Sequence, residues 1–155
     1  MLEHLALRIG SFQIGPKGRF RTVHDAVTLE LIGHVIRRRR FGCLTSRADM
    51  VYEEPDGSLL TSIRQTWWLA VPTVLDADNG AIAMIYRRLL EWPDERVMAE
   101  IVKTGRHKGE FHAAVGVELA NYAKQSDGIL LTFHPRISSE PFIKMAILGA
   151  VLTRC

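Results

Sequence analysis

Residues 96–135, RVMAEIVKTGRHKGEFHAAVGVELANYAKQSDGILLTFHP, constrain the fold of this chain more than any other stretch. Apolar residues are dense before residue 104 and after residue 127, and between them lie a basic, glycine-bearing turn and a run with three- and four-residue apolar spacing. The pattern reads as strand, turn, helix, strand. A helix of roughly 15 residues is long enough to carry the chain back across a sheet, so the segment predicts a β-α-β unit with parallel strands. Its turn holds Arg106, His107, Lys108 and Gly109. At the start of a helix, unpaired backbone N–H groups and the positive end of the helix dipole favour a phosphate or another anion.

On the first strand of this unit, Met98, Glu100 and Val102 share one face and Val97, Ala99 and Ile101 the other. Glu100 is therefore a carboxylate set between apolar neighbours, where partial burial raises a glutamate toward neutrality, or else a surface residue of an edge strand. His134 closes the second strand, and the C-terminal ends of strands border the sites of α/β sheets, although a solvated strand-end histidine is the plainer reading. The helix predicted between the strands buries Phe111, Val115, Leu119 and Tyr122.

With Arg106 and Gly109 in the first two places of an R/Q-x-x-G-x-G/A turn and Phe111 in the third, residues 96–150 resemble the acyl-CoA-binding part of the GCN5-related N-acetyltransferase (GNAT) superfamily. Residues 139–149, SEPFIKMAILG, are similar to the N-E-x-A-I-x-L-Y helix of the same family. The resemblance implies an α/β (α+β) fold, with a mixed central sheet of about five strands flanked by about four helices. It also implies acetyl-CoA as the acyl donor. Arg106, His107, Lys108 and Gly109 would hold the pyrophosphate, and splayed strands at 97–103 and 128–134, Val102 among them, would receive the pantetheine arm. Glu100 would act as base toward an amine acceptor, with His134 as a second acid or base. Trp67 and Trp68 are adjacent, so a strand would send one to the core and leave the other to border the acceptor.

The chain has 155 residues, 47% of them hydrophobic and 24% charged, which suits one domain over residues 1–155 with a single sizeable core. Twenty basic against 17 acidic residues give a formal charge of +3, too small an excess to imply nucleic acid by itself. The two cysteines, Cys43 and Cys155, make neither a metal quartet nor a disulfide framework, so a reducing, cytoplasmic setting and no metal are expected. No apolar run approaches the ~18 residues of a spanning helix; the run at 142–152 is interrupted by Lys144.

In chain order, residues 4–14 predict a first strand, closed by Gly15, Pro16, Lys17 and Gly18. Thr22 and Asp25 read as a helix cap, and Ala26, Leu29, Ile32, Val35 and Ile36 as the buried face of a first long helix. That helix ends in Arg37, Arg38, Arg39 and Arg40, either a solvated terminus matched to the helix dipole or a contact for phosphate, nucleic acid or an acidic protein. Residues 47–71 predict a β-hairpin about the turn Glu54-Pro55-Asp56-Gly57. Asp76, Asp78 and Asn79 sit in a turn that lacks the EF-hand pattern, and Ile82, Ile85, Tyr86 and Leu89 predict another helix, stopped at Trp92-Pro93.

Two classes of function follow. The first is an acyl-CoA-dependent N-acyltransferase acting on an amine. The second is a non-catalytic binding or assembly module, possible homo-oligomer included, that meets nucleic acid or an acidic partner through the arginine run. A degenerate acetyltransferase-like protein stands between them, because Phe111 replaces a small residue and Met145 and Ala146 stand near the place of the family's tyrosine.

Overall fold

The computed structural model describes residues 3–16, 18–42, 45–65 and 71–154, without the side chains of residues 38–42 and 45–48. Its strands are β1 (Ala6–Gly10), β2 (Gln13–Gly15), β3 (Gly18–Asp25), β4 (Leu31–Gly42), β5 (Thr45–Glu53), β6 (Leu59–Gln65) and β7 (Thr73–Asp76). Then follow β8 (Ala81–Tyr86), β9 (Leu89–Glu91), β10 (Val97–Gly105), β11 (Lys108–His112), β12 (Glu118–Gln125) and β13 (Gly128–Phe133). A short 3₁₀ turn (Pro135–Ile137) leads to the one helix among the described residues, α1 (Pro141–Arg154).

Each strand from β3 to β13 pairs antiparallel with the next, and β1 joins the two ends by pairing with both β13 (Arg8 opposite Leu130) and β3 (Arg8 opposite His24). The result is a closed barrel of twelve strands, with β2 a short flap on the outer part of β3. Among the described residues, closure leaves no long unpaired sheet edge. The GNAT-type mixed sheet flanked by helices is therefore not the fold, and the acetyltransferase resemblance falls with it.

Three predicted helices are hairpins instead. Residues 22–36 divide between β3 and β4 because Asp25 caps a turn rather than a helix: its carboxylate accepts from the N–H groups of Val27 and Thr28, both at 2.7 Å, and Leu29 takes φ 61°. The β-branched Val23, Ile32, Val35 and Ile36 then pack on a pleated surface, which suits their stiff side chains better than a helix does. Residues 81–91 turn at Arg87 and Arg88 between β8 and β9. Residues 108–125 turn through Ala113–Val117, where Gly116 adopts φ 76° and donates to the Ala113 carbonyl. Phe111, Leu119 and Tyr122 are buried as their apolar character requires, but Val115 is 84% exposed at the turn. The crossover that defined the β-α-β unit is thus absent. The predicted hairpin about Glu54 and Gly57 is present, with Gly57 at φ 85°.

Twelve strands enclose more space than side chains alone can fill, since an eight-stranded barrel is about the size that wall residues close by themselves. Here α1 fills the lumen. Every residue from Lys144 to Leu152 is buried, all round the helix, which happens only when apolar wall surrounds it on every side. Fourteen residues of helix extend about 21 Å, comparable to the height of strands of five to nine residues. Gly149 is pressed against β7, where an added Cβ would lie 2.6 Å from Val74 Cγ2. Among the described residues no helix is long and apolar enough to cross a membrane.

Candidate anion-binding site at the barrel mouth

Because neighbouring strands run antiparallel, successive connections alternate between the two ends of the barrel. One end carries the loops at 26–30, 54–58, 77–80, 92–96, 113–117 and 134–140, which include Glu30, Glu54, Asp56, Asp78, Asp94, Glu95 and Glu140 against Arg96 and Arg136. At the other end lie the turns at 87–88, 106–107 and 126–127 and the last turn of α1. Those hold Arg87, Arg88, Arg106, His107 and Arg154 against Asp127. A chain of formal charge +3 is therefore polarised along the barrel axis, with the helix entering at the acidic end and finishing at the basic one.

At the basic end a cavity of about 220 Å³ opens between the wall and the end of α1, lined by Lys103, Gly105, Arg106, His107, Tyr122, Lys124 and Arg154. Its construction follows from strand periodicity. On β10, Lys103 occupies the same face as the buried Ala99 and Ile101; on β12, Lys124 occupies the same face as the buried Ala120 and Tyr122. These lysines thus stand at lumen-facing positions, one step beyond the core, where the barrel opens to solvent. Positions of this phase are ordinarily apolar. Arg106 and His107 form the two-residue connection between β10 and β11, and the His107 carbonyl accepts from Lys124 N–H at 2.7 Å, which ties that turn to β12.

Tyr122 floors the site. Its ring packs 6.0 Å from that of Phe111 and lies over Gly109, where a Cβ would come within 2.6 Å of the ring and 2.8 Å of the hydroxyl. A side chain at 109 would therefore meet the Tyr122 ring, which accounts for a glycine at this place in β11.

The predicted site residues scatter. Arg106 and His107 meet at the cavity, while Lys108 and Gly109 are the first residues of β11. Glu100 and Val102 are exposed on the outer face of β10. His134 lies at the opposite end of the barrel, where its Nδ1 accepts from Arg136 N–H at 3.2 Å and caps the 3₁₀ turn. The structure therefore does not bring Glu100 and His134 together with the basic turn. Trp67 and Trp68 lie outside the described residues. The arginine run is not a helix terminus: Arg37, Arg38, Arg39 and Arg40 follow one another along β4, opposite Met50, Asp49, Ala48 and Arg47 of β5. The side chains of the last three arginines are outside the described set. Lys103, Tyr122, Lys124 and Arg154 join the site without belonging to the turn motif. Lys124 stands out only once its segment is read as a strand, in phase with Ala120 and Tyr122, whereas Lys103 already follows Ala99 and Ile101 on one strand face of the sequence.

A larger cavity of about 320 Å³, lined by Gly15, Pro16, Phe20, His34, Ile36 and Glu53, is mainly apolar and mixes one imidazole with one carboxylate. No charge of one sign gathers there. The basic mouth is the better-defined site.

No protein-family model matches the chain, and a search of the curated proteins finds no match. Among solved structures, the X-ray structure of a protein from Arabidopsis thaliana is similar at a TM-score of 0.63 and 12% identity, over 98% of this chain and 93% of that one. At that identity the similarity shows a shared fold alone, and the fold shared is the helix-filled barrel.

Proposed function

We propose that this chain is a non-catalytic binding module that engages a polyanionic partner through the basic end of its barrel. The observation that carries this reading is the placement of Lys103 and Lys124 at lumen-facing positions, beside Arg106 and Arg154, in a cavity whose lining holds no acidic residue among the described ones. Segregation of acidic loops to the far end gives the barrel a charge dipole that orients an anionic partner before contact. The helix occupies the lumen, so the partner is met at the mouth rather than enclosed within the barrel.

Fluorescence anisotropy with a labelled single-stranded oligonucleotide and with poly-glutamate, over a range of salt concentration, tests the reading. For the nucleic acid, log affinity is expected to fall linearly with log salt, by about 0.7 per phosphate neutralised. Replacing Lys103, Arg106 and Lys124 with glutamine should flatten that slope. Absence of binding to either polymer at low salt, or binding indifferent to salt, removes the proposal.

A further inference from the structure

We infer that the cavity at the barrel mouth is a seat for a phosphoryl group, a terminal phosphate or a pyrophosphate, and not merely part of a diffuse basic surface. This rests on the reading of the basic end as an anion-binding face and narrows it to one ligand chemistry.

Three features favour a phosphoryl group over a carboxylate. First, the donors are of different kinds and line the cavity from separate elements: Lys103 from β10, Arg106 from the following turn, Lys124 from β12 and Arg154 from the end of α1, with Tyr122 among them. A carboxylate offers two oxygens and one charge. A terminal phosphate offers three oxygens and about −1.5 to −2 charges, so it can engage several cations at once. Second, a cavity of about 220 Å³ exceeds the needs of a carboxylate. Third, the charge balance at the seat is one-sided. The negative pole of α1 lies at this end, but it amounts to only about half an elementary charge. Among the described residues, four formally cationic side chains line the cavity and no carboxylate side chain does.

The test is isothermal titration of the full chain with sodium pyrophosphate at low salt, together with the pair Lys103→Gln/Lys124→Gln, the charge-preserving pair Lys103→Arg/Lys124→Arg, and the pair Arg96→Gln/Arg136→Gln. Arg96 and Arg136 are exposed basic residues at the opposite end of the barrel, outside the cavity lining. The parent should bind pyrophosphate saturably at one site. Loss of two charge-assisted contacts in the glutamine pair should weaken binding by at least about tenfold, with the arginine pair restoring most of it and the Arg96/Arg136 pair unchanged. Thermal melts of each variant report whether the fold is intact. No saturable binding by the parent, or equal weakening in the Arg96/Arg136 pair, overturns the inference. A 5′-phosphorylated oligonucleotide compared with its 5′-hydroxyl twin separates a polymer end from a free small molecule. Preference for the phosphorylated form places a polymer's terminal phosphate in the seat, and pyrophosphate binding with no such preference places a free phosphorylated compound there. Salt-dependent binding of both oligonucleotides without pyrophosphate binding sinks the seat and spares the polyanion reading. Pyrophosphate binding alone, with neither polymer bound, does the reverse.

Discussion

Replacing Gly149 with alanine sets two effects of known size against each other at the centre of the barrel. In a free helix the substitution is favourable by about 1 kcal/mol, because glycine sacrifices more backbone entropy. In this barrel the new methyl would lie 2.6 Å from Val74 Cγ2, with Val74 Cγ1 and Ile63 Cγ1 at 3.5 Å. Val74 is fully buried on β7, which is held between β6 and β8, so neither its side chain nor its strand has room to retreat. Overpacking of this kind costs about 1–3 kcal/mol, which leaves a net destabilisation of roughly 0–2 kcal/mol. Val74→Ala removes two methyl groups and leaves a cavity, for a loss of about 2–3 kcal/mol. In that background Gly149→Ala has space, and its effect should reverse to a gain of up to about 1 kcal/mol. Urea unfolding of the four proteins of this cycle measures the coupling, expected at about 1–3 kcal/mol. Strict additivity, or a full helical gain from Gly149→Ala alone, would show that α1 is not pressed against the wall, and the filled-lumen account would be wrong.

Gly109→Ala should destabilise the protein by about 1–3 kcal/mol in urea unfolding, because its Cβ collides with the Tyr122 ring; an unchanged midpoint would refute that role. Asp25 is held down to about 2 by the N–H groups of Thr28 and Val27, against a smaller opposing effect of burial and with His4 at 2.7 Å adding to the depression. Its folded pKa is below its unfolded one, so its contribution is present above about pH 4 and is lost as pH falls toward 2. Asp25→Asn should therefore be less stable than the parent at neutral pH and lose stability less steeply between those limits, as read by urea unfolding at each pH; an equal slope would refute it. Lys144 is fully buried in α1, 5.6 Å from the Phe133 ring centroid and donating to the His4 carbonyl at 3.3 Å, and loss of hydration lowers its pKa. The unfolded chain then holds that proton more tightly, so stability should rise with pH through the interval between the folded and unfolded values. Lys144→Met should abolish that rise, and an identical slope in the variant would refute it.

Much of the local structure was legible. The turn at Glu54 and Gly57 announces itself because proline, aspartate and glycine each favour a turn for their own reason. Strands at 97–103 and 128–134 follow from dense β-branched and apolar residues. The helices predicted at 22–36, 82–89 and 111–122 failed for a common reason. Apolar residues three and four apart over a short window also arise when two strands and their turn lie end to end, so Phe111 and Tyr122 can both be core without sharing a helix face. With residues 111–122 read as a helix, Lys124 has no phase that marks it as lumen-facing, and Lys103, already in phase with Ala99 and Ile101, has no partner across the mouth.

By itself, then, the sequence determined the turns, the β-rich runs, a concentration of cations near residue 106 and an apolar segment at 142–152 that had to be buried. Only the tertiary structure decided that β1 closes the ring against partners on β13 about 120 residues away, that the apolar segment becomes the filling of that ring, and that Arg154 finishes beside Lys103. The physical reason is that ladder pairing and lumen filling are satisfied between segments distant along the chain. A local apolar period records that a residue is buried, but not which neighbour buries it.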